Sequence, residues 1–174
     1  VREHNSKDFI TINLRPATVC GYSPRQRLDV IVNIFANDAI NKRSLRVDGG
    51  EQKRPNIHME DITDYYIALL QASEEKIAGE TFNAGYENLS LMEIAEITKG
   101  IVGDDVVITR VPSKDNRSYH ISSEKIKRVL GSEPKHTVEE AIKDLKNAFE
   151  NGLIPNPSDS IYRNVERMKK IKLR

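Results

Sequence analysis

Residues 13–33 read NLRPATVCGYSPRQRLDVIVN, and this stretch limits the fold most, because three local structures follow one another in it. Residues 9–14, FITINL, are β-branched and aromatic, as a buried strand requires. Pro16 lacks a backbone donor and ends that strand. Residues 17–27 form a loop punctuated by Gly21 and Pro24. From Leu28, apolar residues fall at Leu28, Ile31, Val32, Phe35, Ala36, Ala39 and Ile40, which is one face of a helix. A strand that runs through a Pro/Gly loop into a helix typically holds a ligand at the carboxyl edge of a sheet.

The pattern continues downstream. Residues 44–50, SLRVDGG, read as a short strand closed by a Gly-Gly turn, and residues 55–61, PNIHMED, hold another extended piece. A helix then presents Ile62, Tyr65, Tyr66 and Leu69, followed by a strand ending at Gly85. Ser90 with Glu93, and Thr137 with Glu140, have capping-box spacing ahead of two amphipathic helices. Residues 105–112 form a strand ending at Pro112, a short helix starts at Ser122 or Ser123, and Gly152 suits a helix stop. Residues 160–174 form a basic, weakly amphipathic tail helix. Strands alternating with helices predict an α/β layer architecture.

Lys and Arg number 27 against 26 Asp and Glu, so bulk charge points to no polyanionic partner, nucleic acid included. No apolar run approaches the ~18 residues of a membrane span, and no secretory leader is visible, so no membrane partner is expected. The single Cys20 cannot form an internal disulfide, which suggests a reducing, cytoplasmic setting. The four histidines, His4, His58, His120 and His136, have no metal-ligand spacing, so no metal is expected. No Gly-rich phosphate loop follows a strand, no nucleophile elbow is present, and no Cys-His pair is visible by spacing.

Five segments share an order and spacing with a known family: LRPATVCGYSP with RLDVIVN, RPNIHMEDITDYYIALL, TFNAG, and DNRSYHISSEKIKRVLG. Together they resemble the C-terminal half of an extended short-chain dehydrogenase/reductase, in the branch of NAD-dependent nucleotide-sugar epimerases and dehydratases. The resemblance implies an α/β fold: the C-terminal part of an NAD-binding Rossmann-type enzyme with its smaller substrate-binding domain. It implies that residues 1–26 end the Rossmann domain and that residues 27–153 are mostly substrate-binding, with short segments returning to the Rossmann sheet. Residues 154–174 are then a basic tail. The chain does not begin with Met, and residues 1–5 look like the last turn of a helix already under way, so a truncated chain is expected. A preceding Rossmann domain would carry the G-x-x-G-x-x-G loop, which binds most of the NAD or NADP, and the Y-x-x-x-K pair. No catalytic residue is then expected in this chain, which would be inactive alone. The parent is expected to be a homodimer.

On the same resemblance, Pro16, Ala17, Thr18 and Val19 face the nicotinamide, and the substrate is a nucleotide-diphosphate sugar. Thr18 stands where many relatives carry a substrate-contacting Asn, and Cys20 where Tyr is common. Arg54 and Arg117 match arginines that hold the diphosphate; a guanidinium is always charged and bonds two oxygens at once. Asn33 and Asn88 complete the expected substrate contacts. Each has a plainer reading: a strand terminator at Pro16, solvated loop arginines, an Asp115–Arg117 turn pair, and helix-surface or loop amides. His58 and Asp61 could suggest an acid/base pair, but the H-x-x-D spacing fits a helix start, where a carboxylate satisfies free N–H groups. Two alternatives to the enzyme reading are a non-catalytic ligand-binding module on the same half-fold and a carbonyl reductase of the same superfamily.

Overall fold

Three small sheets, rather than one continuous sheet, organise the chain in a computed structural model that describes residues 2–113 and 117–173. Strand β1 (Asn13–Pro16) pairs in parallel with β5 (Thr81–Ala84). Strand β2 (Thr18–Cys20) pairs in parallel with β4 (Lys53–His58), and β4 pairs antiparallel with β6 (Glu87–Ser90). Strand β3 (Ser44–Asp48) pairs in parallel with β7 (Val107–Val111). Parallel pairing between strands distant in sequence, with helices between them, is the α/β architecture the alternation predicts.

The helices are α1 (Ile31–Lys42), α2 (Met59–Gln71), α3 (Glu74–Ile77), α4 (Leu91–Val102), α5 (Glu124–Leu130), α6 (Val138–Glu150) and α7 (Asn164–Lys170). Both predicted capping boxes form. The Ser90 hydroxyl accepts from Glu93 N–H while the Glu93 carboxylate accepts from Ser90 N–H, and Thr137 and Glu140 do the same. One core joins α1, α4, α6 and β3 through Val32, Phe35, Ile94, Leu145 and Val47. A second joins α2, α5, β4 and β5 through Ile57, Tyr65, Leu69, Phe82 and Ile126.

Several boundaries differ from the sequence reading, each for a local reason. The first strand starts at Asn13 rather than residue 9. Ser6 and Phe9 exchange backbone hydrogen bonds, and Asn5 Oδ1 accepts from Thr11 N–H at 2.9 Å, so turn chemistry takes the preceding residues. Phe9 is left 63% exposed. Helix α1 starts at Ile31 rather than Leu28, because Leu28 donates its N–H to the Tyr162 carbonyl at 2.8 Å. The expected loop contains β2. Tyr66 is half exposed, since Ile62, Tyr65 and Leu69 alone follow the buried helical stripe. Among the described residues the tail is α-helical over α7 alone, after a 3₁₀ turn at Ser160–Tyr162, and the residues before α7 are docked: Ile154 and Tyr162 are buried in the first core.

Candidate functional site

A cleft of about 550 Å³ opens where β1 and β2 end and the chain turns toward α1. Its position follows from the sequence. Pro16 closes β1, β2 carries the chain to buried Cys20, and Gly21 turns it with φ +97°. The dihedral favours glycine there, and a Cβ would also crowd His58 Nε2 at 3.1 Å. Five predicted site residues, Pro16, Ala17, Thr18, Val19 and Asn33, line this cleft together.

Asn33 lies on α1 and is 3% exposed. Its Oδ1 accepts from Gly21 N–H at 3.2 Å and its Nδ2 donates to the Arg27 carbonyl at 2.8 Å. The amide therefore clamps both ends of the loop between them. Asn88 works similarly elsewhere: its Nδ2 donates to the Ile121 carbonyl at 3.1 Å and its Oδ1 accepts from Ile121 N–H at 2.9 Å. Ile121 is thus fixed in the cleft wall, while Asn88 itself lines a neighbouring hollow with Ser122 and Ser123. Ser123 secures the same wall by bonding the Gly85 N–H and carbonyl. A Cβ at Gly85 would come within 2.6 Å of Ile121 and 3.1 Å of Ala17.

Arg54 and Arg117 meet outside the cleft lining. Arg54 Nη1 donates to the carbonyls of Lys53 and Arg117, and its guanidinium carbon lies 5.4 Å from the Tyr119 ring centroid. Tyr119 and Pro55 line the cleft, so the Arg54 side chain abuts its rim. Asp115, the plainer partner considered for Arg117, lies outside the described residues.

Sequence reasoning missed Arg15, Ser23, Arg25, Arg27, Asn83 and Tyr119, which also line the cleft. Arg15 pairs across β1–β5 with Asn83. Arg27 bonds Asp29 at 2.9 Å. The signal was present in residues 23–27, where two arginines follow a Pro within a ligand-type loop.

The structure gathers His58 and His136, whose ring centroids are 4.9 Å apart, together with Glu60, Asp61 and Asp144. His58 itself caps α2: its Nδ1 accepts from Glu60 N–H at 3.2 Å. That bond places the proton of the neutral ring on Nε2, which faces Asp144 Oδ2 at 3.1 Å. His58 thus has no lone pair directed at a cation beside Glu60 and His136. Asp61, 2% exposed, does not cap its own helix as its spacing suggested. It accepts from the N–H groups of Lys135 and His136 at 3.0 and 2.9 Å, and from His136 Nδ1 at 2.9 Å. The hydrogen bond to Asp61 raises the His136 pKa above its ordinary value. These contacts account for both residues as structural ties between α2 and the start of α6. Burial pushes the Cys20 thiol up to about 12, and its Sγ–H donates to the Ile57 carbonyl.

Residues 1–85 match the NAD dependent epimerase/dehydratase family. Pal from Bacillus thuringiensis superposes with a TM-score of 0.69 at 25% identity, over 84% of this chain and 47% of that one. UDP-glucose 4-epimerase from Thermotoga maritima, solved with UDP-glucose, gives 0.68 at 26% identity, over 80% and 46%. The epimerase Mth375 from Methanothermobacter thermautotrophicus shares the fold at a TM-score of 0.73 and 22% identity, over 84% and 45%. The chain therefore spans about half the length of the solved structures it matches. Residues 1–85 are thus similar in sequence to the NAD dependent epimerase/dehydratase family, and the chain shares the Rossmann-like α/β fold of solved epimerases.

Proposed function

We propose that this chain supplies the substrate side of the active site in an NAD-dependent nucleotide-sugar epimerase or dehydratase. One observation carries the reading. Pro16, Ala17, Thr18, Val19 and Asn33, singled out for cofactor or substrate contact, all border one cleft at the carboxyl ends of parallel strands. The Thermotoga protein with UDP-glucose supports the ligand class.

In this reading residues 16–19 form a wall beside the nicotinamide of NAD or NADP, whose diphosphate is held by a Gly-rich loop absent from this sequence. When bound, the nicotinamide would supply reversible hydride transfer at a sugar carbon. This chain's own residues do the binding. Arg54 and Arg117, together at the rim, attract the sugar-nucleotide diphosphate, and Thr18 faces the sugar. Asn33 and Asn88 act one step back, holding the loop and the wall. We read β1 and β5 as strands of the Rossmann sheet and residues 27–153 as mostly the substrate domain, in a homodimeric cytoplasmic parent. Calorimetric titration of UDP-glucose into the protein tests the reading. Saturable binding weakened by Arg54→Ala supports it, and binding unchanged by that substitution contradicts the assignment of Arg54.

A further inference from the structure

The cleft-lining loop, residues 21–30, does not stand alone; the segment just before and into α7 holds it from behind. Leu28 N–H donates to the Tyr162 carbonyl at 2.8 Å, and Asn164 N–H donates to Asp29 Oδ2 at 2.8 Å. Arg25 makes three further bonds there and nearby. Its Nη1 donates to the carbonyls of Gln26 and Ile161 at 3.2 and 3.3 Å, and its Nη2 to Asn164 Oδ1 at 3.1 Å. Tyr162, 9% exposed, anchors the segment in the core, and Asp159 caps its short 3₁₀ turn by accepting from Ile161 N–H.

The chemistry of these partners is informative. Among the described residues every acceptor on Arg25 is neutral: two carbonyls and an amide. Arg27, two residues on, is instead paired with the Asp29 carboxylate. Both arginines line the cleft. Neutral acceptors hold a guanidinium in place without cancelling its charge, so Arg25 presents a pre-oriented cation with no ion pair among the described residues; the Asp29 carboxylate reaches it only through Asn164. We infer that Asn164 is a positioning residue that fixes Arg25 as an anchor for an anionic oxygen group, phosphate or carboxylate, of the cleft's ligand. The inference rests on the cleft being the ligand site but not on the ligand being a sugar nucleotide.

The test compares the wild-type chain with Asn164→Asp and Asn164→Ala, titrated separately with inorganic pyrophosphate and with glucuronate, with amide shifts of residues 21–30 as the readout. Asn164→Asp keeps the side chain's shape and sets a carboxylate against Arg25. It is expected to weaken the bound anion about tenfold or more, the scale of one hydrogen bond between charged groups. Asn164→Ala, which removes one of the three tethers on the guanidinium without neutralising it, is expected to weaken the anion less, with near-unchanged thermal midpoints in both variants. Pyrophosphate alone responding identifies a phosphate subsite, and glucuronate alone a carboxylate subsite. Neither anion shifting residues 21–30 in the wild type, or equal affinities in all three proteins, overturns the inference. A UDP-glucose titration that fails while an anion still binds through Arg25 counts against the sugar-nucleotide reading only.

Discussion

Arg54 stacks on Tyr119, with 5.4 Å from guanidinium carbon to ring centroid, and this contact joins the rim cation to the cleft lining. In a protein that binds the sugar nucleotide, Arg54→Ala is expected to weaken that ligand by about 1.5–3 kcal/mol, the range for a hydrogen bond to a charged group. Affinity for NAD is expected to stay constant in the same variant, which separates a lost diphosphate contact from a general loss of structure. Parallel calorimetry with the two ligands checks this.

Asn33 occupies both ends of its amide on the cleft loop. Asn33→Ala strands the Gly21 N–H and leaves the Arg27 carbonyl with Gln26 Nε2 alone, at an expected cost of about 1–3 kcal/mol. Urea unfolding measures it, and a change below a few tenths of a kcal/mol would show that the loop finds other partners.

Cys20 is expected to be chemically silent. A thiol held at about 12 by burial stays protonated at pH 8 and is a poor nucleophile. Labelling by an aromatic disulfide reagent should proceed at the rate of unfolding, and prompt labelling of the folded chain would contradict the burial.

The pair of His136 and Asp61 predicts a direction of pH dependence. The folded pKa of His136 is raised, chiefly by its hydrogen bond to Asp61. A raised histidine contributes stability that is complete below its unfolded value of about 6.5 and is lost as pH rises through the folded value. Denaturant midpoints should therefore decline from about pH 6.5 upward, and His136→Gln should flatten that part of the profile. An unchanged profile in the variant would assign the dependence to another group.

The sequence contains no Gly-rich phosphate loop, so this chain by itself is expected to bind NAD negligibly, because such a loop's N–H groups and helix N-terminus hold the diphosphate. Micromolar binding by calorimetry would contradict the expectation.

Local signals were the legible ones. The capping boxes at Ser90 and Thr137 and the apolar stripe of α6 are short-range patterns, and they form where the spacing puts them. The position of residues 16–19 at a strand end followed from Pro16 in the same way. What the sequence hid depends on contacts between distant residues. Strand β6 has few strand-forming side chains and exists through its pairing with β4. The start of α1 is delayed by a bond from Leu28 to Tyr162, and His58 meets Asp144 and His136 only once α2 and α6 are packed. Asn33 and Asn88 were legible as polar residues near a ligand loop, but their service to backbone groups was not, since neither partner is fixed by residue type.

We propose a nucleotide-diphosphate sugar as the occupant of the cleft bordered by Thr18 and Asn33. Backbone amide shifts recorded during a UDP-glucose titration test it most directly. Saturable shifts concentrated at Ala17, Thr18, Val19, Gly21, Asn33 and Tyr119 are expected. Saturable binding with shifts confined to other surfaces would contradict it.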